Sequence, residues 1–194
     1  AHSFGYIVRA VNLLNVEIDI IGGLELKYAR EKGLKIKLVA QAFKNTDGNI
    51  TAFVIPKFVD SADRLFNVDD VFNGVITKTS CADEQFFVGK GAGAHPTASA
   101  VLSDISALSY DYQYEYKKIA QQEDYSLSDD VNLKVFLRHQ IEDAVTLKKH
   151  FSAIDESYLN HESGYITGTI SLEKLRNIHF DESIDKSFVL LDIA

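Results

Sequence analysis

Residues 34–43, LKIKLVAQAF, alternate apolar and polar side chains at a period of two, which predicts a β-strand. The Asp47-Gly48 pair that follows is a strong hairpin signal. The next stretch, ITAFVIPKFV at 50–59, returns as the partner strand. Pro56 is expected at an edge or near the end of that strand, because proline cannot donate a ladder hydrogen bond. An antiparallel hairpin is therefore the centre from which the fold is predicted.

Further elements are predicted on both sides of this hairpin. Before it, a short helix begins near Leu24 and is closed by Gly33. After it, strands are predicted at 71–80 and 86–89, and a helix runs from about Pro96 to Ala107. This helix carries small side chains, which allow close approach to a sheet or to another backbone.

A second unit is predicted after a change of composition beyond Tyr110. We expect one domain at 1–115, a polar, tyrosine-rich linker at 116–130 and a second domain at 131–194. The predicted elements of the second domain are a strand at 131–139, a helix at 142–154, a strand at 164–171, a helix at 172–178 and a strand at 186–194. The order β-α-β-α-β suggests a small split-βαβ, ferredoxin-like module. The predicted fold class is α+β, with a mixed, mostly antiparallel sheet covered by helices and followed by this module.

Composition excludes several classes of function. The chain has 194 residues and a formal net charge of −8, which is the wrong sign for nucleic acid or an anionic membrane. No apolar run reaches the roughly 18–20 residues needed to cross a bilayer. The single cysteine, Cys81, permits no internal disulfide and fits a reducing cytoplasm. The chain begins at Ala1 and contains no Met, so we expect it to be a piece of a longer protein.

The segment GKGAGAHPTASA at 89–100 is the most informative one for function. Three glycines at alternate positions, after a strand and before a helix, let backbone N–H groups approach an anion or a flat ring. The segment matches neither the phosphate-binding P-loop nor the usual Gly-x-Gly-x-x-Gly dinucleotide fingerprint. On the glycine pattern alone, a plain tight turn and a ligand loop remain equally open.

Other side chains with chemical potential give weaker signals. The six histidines show no metal-ligand spacing, and His139 and His150 are expected at the surface. His95 borders the glycine segment and is the one histidine worth testing. Cys81 lacks a nearby histidine and is expected to be a spectator thiol. Asp104 lies on the helix after the loop, where a structural role is favoured over a catalytic one.

Four segments together resemble the homoserine dehydrogenase family. They are IKLVAQA at 36–42, IPKF at 55–58, NVDDVFNGV at 67–75 and GKGAGAHPTASAVLSDI at 89–105. A weaker match begins with Phe4-Gly5 and includes Leu26, Tyr28-Ala29-Arg30-Glu31 and Gly33. Two positions depart from the family pattern: Lys90 replaces a proline or alanine, and Asp70 replaces a glycine. The family's His-Pro pair before the NVDG segment is also missing, with Ala62-Asp63-Arg64 in its place.

The resemblance implies an oxidoreductase that interconverts L-aspartate 4-semialdehyde and L-homoserine in threonine and methionine biosynthesis. It implies that Gly91, Ala92, Gly93 and Thr97 contact NADP or NAD, which an upstream region would bind for the most part. The family's catalytic lysine and aspartate also lie upstream, so no catalytic residue is expected in this chain and the chain alone is expected to be inactive. No metal is expected.

The resemblance also implies partners and a role for residues 131–194. Many family members carry a C-terminal ACT domain that binds an amino-acid effector such as threonine. The predicted order here is short by one strand and lacks the usual glycine at the first strand-to-helix turn, where His139-Gln140-Ile141-Glu142 stand. A degenerate module used for assembly is therefore nearly as well supported as an effector site. We expect a cytoplasmic homodimer or tetramer. Two alternatives to a fragment of the dehydrogenase remain: a non-catalytic amino-acid-binding or assembly module, and a pseudo-enzyme that keeps the glycine loop but has lost the chemistry.

Overall fold

A computed structural model describes residues 12–110, 112, 126–178 and 186–194. The weaker family match at Phe4-Gly5, two of the histidines and most of the predicted linker lie outside these residues. The described strands are β1 (Leu14–Asn15), β2 (Lys35–Lys44), β3 (Ile50–Val59), β4 (Phe72–Thr79), β5 (Asp83–Lys90), β6 (Asn132–Gln140), β7 (Ala153–Leu159), β8 (Ser163–Ser171) and β9 (Ser187–Ile193). The described helices are α1 (Gly23–Lys32), α2 (Ala94–Leu108), α3 (Ala144–Lys148) and α4 (Leu172–Asn177), with single 3₁₀ turns at Ile18–Ile20, Arg64–Asn67 and Ile141–Asp143.

The predicted central hairpin is confirmed. Strands β2 and β3 pair antiparallel from Lys35 opposite Val59 to Lys44 opposite Ile50. The connecting turn needs a glycine, because Gly48 has a φ of +90°, a conformation that other residues adopt only with strain. The Asp47-Gly48 pair predicts the hairpin correctly because this turn needs a glycine at position 48.

Pro56 lies in an interior strand and not at an edge of the sheet. The backbone of Val54 faces β1, since its carbonyl accepts a 2.8 Å hydrogen bond from Val16 N–H. Pro56, two residues later, faces the same side, where β1 has already ended and β9 pairs only at Lys57. The missing proline N–H thus falls in a gap between two neighbouring strands, which explains why the proline is tolerated.

The predicted helix at 142–154 is wrong in its second half. The helical segment ends at Lys148, and Ala153–Leu159 form the strand β7 along one edge of the sheet. Every residue of β7 is exposed, and the pairing with β8 shifts register between Ile154 and Glu156. Exposure and the bulge remove the alternating pattern that would mark a strand. The C-terminal unit is therefore not short by one strand, and its element order is β-α-β-β-α-β.

One mixed, sheet-dominated architecture joins the two halves of the described chain. The large sheet has seven strands in the order β1-β3-β9-β6-β8-β7, with β2 also paired to β3. Helix α1 covers one face through a cluster containing Ala29, Phe58 and Phe136, and helices α3 and α4 cover the other. On that second face, Phe53 and Phe188 belong to the same buried cluster. Residues 12–59, 131–178 and 186–194 therefore share one core; the predicted division into domains stays a prediction.

Residues 72–108 form a separate arm. Strands β4 and β5 make their own two-stranded antiparallel sheet, and α2 follows directly after it. The strands predicted between 34 and 90 thus belong to two sheets. No residue of α2 is buried, although the helix carries four large aliphatic side chains. The arm (β4, β5 and α2) is the least packed part of the described molecule. Among the described residues, no helix is long and apolar enough to span a bilayer.

Candidate functional site

The glycine loop begins where β5 ends and is tied back to the start of β4. The Gly91 N–H donates to the Val71 carbonyl at 2.9 Å, and the Ala92 N–H donates to the same oxygen at 3.4 Å. A Cβ added at Gly91 would lie 1.9 Å from Asn73 Nδ2. A side chain at position 91 would therefore displace the Asn73 amide, and two of the loop's amides already have an intramolecular acceptor.

Gly93 turns the chain into α2. It has a φ of +117° and is the N-cap residue of the helix. Both the N–H and the hydroxyl of Thr97 donate to the Gly93 carbonyl, at 3.2 and 2.9 Å. The first helical hydrogen bond thus belongs to Thr97, so the N–H groups of Ala94 and His95 have no acceptor within the helix. These two donors and the positive end of the helix dipole make the loop suited to a negatively charged or electron-rich ligand group.

All four residues predicted to contact a cofactor are brought together on one exposed surface. Gly91, Ala92, Gly93 and Thr97 are exposed, and so is His95 beside them. The loop therefore has an open face that a flat ligand could reach. Its own contacts also give Gly91, Gly93 and Thr97 a structural role, and whether they contact a cofactor stays a prediction.

Large apolar side chains are exposed elsewhere on the arm. On α2, Leu102 and Leu108 are 65% and 68% exposed, and on the hairpin Val75 and Phe87 are 55% and 56% exposed. Several exposed apolar side chains of this size on one small substructure are typical of a surface that another one covers. The arm therefore has the character of an interface.

The structure places the other candidate residues, His139, Cys81 and Asp104, in different environments. His139 is only 1% exposed, so the expectation of a surface histidine is wrong at this position. It lies near the end of β6, and its Nδ1 lies 2.7 Å from the Gln140 carbonyl. Cys81 is exposed, and Asp104 is exposed with no partner among the described residues. Within the described ranges, no three His, Cys, Asp or Glu side chains gather as metal ligands.

A buried ion pair that the sequence did not reveal joins the two halves of the chain. Glu25 on α1 is fully buried and accepts from Arg138 Nε on β6 at 2.7 Å. Glu25 also accepts from the Ser187 hydroxyl on β9 and from the Gly22 N–H at 3.0 Å. The partners lie more than a hundred positions apart, and no local pattern signals such a contact.

An exposed cluster of opposite charges lies between β2 and the loop before β4. Asp69 accepts from Lys35 Nζ at 2.7 Å and from Lys37 Nζ at 2.6 Å. These hydrogen bonds, Lys35 first, hold the pKa of the Asp69 carboxyl below its usual value. The cluster ties the NVDD segment, and with it the base of the arm, to the large sheet.

Comparisons with known proteins agree with one another. The profile of the homoserine dehydrogenase family matches residues 2–106, which is more than half of the chain. The chain is 42% identical over 88 residues to a homoserine dehydrogenase from Neisseria gonorrhoeae, covering 45% of this chain and 20% of that protein. It is 32% identical over 81 residues to a protein from Pseudomonas canavaninivorans named as an NAD(+)-dependent homoserine dehydrogenase, covering 42% of this chain and 23% of the relative.

The fold agrees as well. A crystal structure of a homoserine dehydrogenase from Thiobacillus denitrificans superposes with a TM-score of 0.64 at 22% identity, covering 87% of this chain and 45% of that one. The chain thus spans roughly a fifth to a quarter of the length of the curated relatives given above. This chain belongs to the homoserine dehydrogenase family.

Proposed function

We propose that these residues work as part of a homoserine dehydrogenase, an oxidoreductase that interconverts L-aspartate 4-semialdehyde and L-homoserine with NAD(P). The product would feed threonine and methionine biosynthesis, and the protein would act in the cytoplasm. One observation carries the proposal: the family match includes the glycine loop, and that loop has an exposed face beside the N-terminus of a fifteen-residue helix.

The cofactor would lie against Gly93. Because glycine has no side chain, a flat ring can approach the backbone there, and the N–H groups of Ala94 and His95 offer donors to it. Gly91, Ala92 and Thr97 would support this contact, with Thr97 holding the turn through its bond to the Gly93 carbonyl. When bound, the nicotinamide supplies hydride transfer. We leave the choice between NAD and NADP open, although one relative is named for NAD(+).

This chain would supply a surface against which the cofactor lies, while the residues that move the proton would come from a region upstream. In the family the catalytic lysine and aspartate precede the segments matched here. The 194 residues alone are therefore expected to be inactive. The apolar side chains of the arm support this arrangement, since the arm would be covered by the upstream cofactor domain or by a second subunit in a homodimer or tetramer.

Kinetics with a protein that joins this chain to its upstream region would test the proposal. We expect homoserine-dependent reduction of NAD⁺ or NADP⁺ by the joined protein and none by the 194 residues alone. Gly93→Ala should raise the cofactor KM about tenfold or more, because the φ of +117° is unfavourable for alanine and the loop backbone would have to shift. Gly89→Ala, where an added Cβ meets nothing within 4 Å, is the matched control. A joined protein that has an intact upstream region but no activity would count against the proposed enzyme function.

A second candidate function rests on the topology of the C-terminal unit. Its strands lie in the order β9-β6-β8-β7, every neighbouring pair is antiparallel, and helices connect β6 to β7 and β8 to β9. This order supports a split-βαβ, ferredoxin-like module for these residues. We propose that residues 131–194 are ACT-like and serve as an amino-acid-binding regulatory or assembly module, with 1–115 as the other domain and 116–130 as the linker.

Calorimetry separates the two candidates. Threonine, methionine and NADP would be titrated into the chain separately. Threonine binding, together with no effect of cofactor on the joined protein, would favour the module alone. Cofactor-dependent turnover would favour the enzyme, and saturable threonine binding in addition would assign the C-terminal unit an effector role.

A further inference from the structure

The segment that leads into α1, residues 12–22 (here the lead-in segment), makes few backbone hydrogen bonds of its own. Two residues of it form a strand and three form a 3₁₀ turn, and the Val16 N–H donates to Val54. Val16 is buried, while Asn12 and Asn15 are exposed. Leu14, Val16 and Ile20 pack into the core, and side chains that reach the carbonyls of the segment add to this packing.

Two arginines of the C-terminal unit reach this segment, one near each end. Arg176 on α4 donates from Nη1 to the Asn12 carbonyl at 2.9 Å. Arg138 on β6 donates from Nη2 to the Ile20 carbonyl, also at 2.9 Å. Both bonds are charge-assisted, which makes them stronger than ordinary backbone hydrogen bonds.

Each arginine is itself fixed by a carboxylate. Asp129 accepts from Arg176 Nη2 at 2.8 Å. Glu25 accepts from Arg138 Nε and, through its other oxygen, from the Gly22 N–H that ends the segment. A guanidinium held in this way presents its remaining donors in a fixed direction. The contacts to the lead-in segment are therefore preorganised.

We propose that the C-terminal unit is a positioning element for the lead-in segment, acting through Arg138 and Arg176. Any displacement of β6 or α4, for instance on binding a ligand to the unit, is then transmitted to the part of the chain that precedes α1. The inference depends on the proposed function only for its activity readout, since the contacts themselves are internal to the chain.

Hydrogen exchange measured by mass spectrometry on the full chain tests the proposal. Arg176→Met is the main variant, because Arg176 is partly exposed and its loss leaves the core in place. We expect the amides of Val16 and Ile21 to exchange about tenfold faster, while those of β8 stay within about twofold. Arg176→Lys should restore part of the protection, since lysine keeps one charged donor. Lys174→Met, on the same helix, should leave exchange unchanged.

Arg138→Lys keeps a charged partner for buried Glu25 but removes the second donor nitrogen that reaches the Ile20 carbonyl, so exchange should rise at that end of the segment. Lys134→Met on the same strand is its control. Lys134 pairs with Asp155 at the surface of the sheet. Unchanged exchange in the segment for both arginine variants would overturn the proposal, and so would an equal rise in β8. In the joined enzyme, Arg176→Met should lower kcat/KM at least about threefold while Lys174→Met does not. If the joined enzyme with wild-type sequence has no activity, the proposed function is refuted. The hydrogen-exchange result alone then decides whether the two arginines position the lead-in segment.

Discussion

Asn73 stands directly against Gly91: a Cβ built on Gly91 would lie 1.9 Å from the side-chain nitrogen of Asn73. A side chain at position 91 would therefore meet a neighbour on the adjacent strand. Gly91→Ala should lower the free energy of unfolding by about 1–2 kcal/mol, because the exposed Asn73 amide must rotate away to make room. Denaturant unfolding of the two proteins would measure the change.

The rescue variant makes this prediction specific. Asn73→Ala removes the atoms that a new Cβ would meet, so the double variant should recover most of the loss. Gly89→Ala should change stability by no more than about 0.5 kcal/mol, since an added Cβ there meets nothing within 4 Å. Equal losses at Gly89 and Gly91 would show that the contact with Asn73 does not matter.

The buried ion pair should be costly to break. Glu25→Ala leaves Arg138 without its buried partner, and we expect a loss of about 3–5 kcal/mol in the free energy of unfolding. Glu31→Ala on the same helix is the control, because Glu31 pairs with Lys27 at the surface at 3.9 Å and should cost less than about 1 kcal/mol. Thermal unfolding would rank the two variants, and a Glu25→Ala protein as stable as Glu31→Ala would contradict the prediction.

Acid should weaken the tie between β2 and the base of the arm. Lys35 and Lys37 lower the pKa of Asp69 in the folded protein. A lowered folded pKa stabilises the protein above the unfolded value of 3.8, and this contribution is lost as the pH falls through the folded pKa. Asp69→Asn should therefore flatten the fall in stability between about pH 5 and pH 2.

The control for this titration is the neighbouring acid. Asp70→Asn keeps a side chain that tolerates the positive φ of 54° at that position, and Asp70 has no ion pair among the described residues. The pH profile of Asp70→Asn should follow the wild type. A profile equally flattened by both substitutions would remove Asp69 as the cause.

Alkali should destabilise the protein through two tyrosines. Burial raises the pKa of Tyr28 and of Tyr165 above 10.0, helped by the negative charge of Glu156. A raised folded pKa gives a contribution that is fully present below pH 10 and is lost as the pH rises through the folded pKa. Tyr28→Phe and Tyr165→Phe should each reduce the loss of stability above about pH 10, measured by urea unfolding. Tyr110→Phe, at a position 83% exposed, should not.

The parts of the fold that the sequence could predict are those whose signals are local. The β2–β3 hairpin follows from strand alternation and one turn, and the end of α1 follows from Gly33, which has a φ of +68°. Strand β7 was missed because an exposed edge strand with a bulge carries no apolar alternation. The buried position of His139 was missed for a related reason, since its burial comes from packing between distant strands.

The candidate site was predictable in position but not in its internal contacts. The glycines, the strand before them and the helix after them mark the loop at 89–97 from the sequence alone. The pattern could not show that the Val71 carbonyl accepts from two of the loop's amides, because that acceptor lies just before β4, far from the loop in sequence. The Glu25–Arg138 pair was out of reach for the same reason.

The placement of β9 bears on how the chain reaches its native state. This strand lies between β3 and β6 in the large sheet, yet Lys57 and Leu190, which join β3 to β9, are about 130 positions apart. During synthesis, the pairing of β3 with β9 must therefore wait until Ser187–Ile193 have left the ribosome. Slow, late closure of this kind exposes apolar strands to aggregation, so a chaperone that shields nascent β3 should raise the yield of soluble protein.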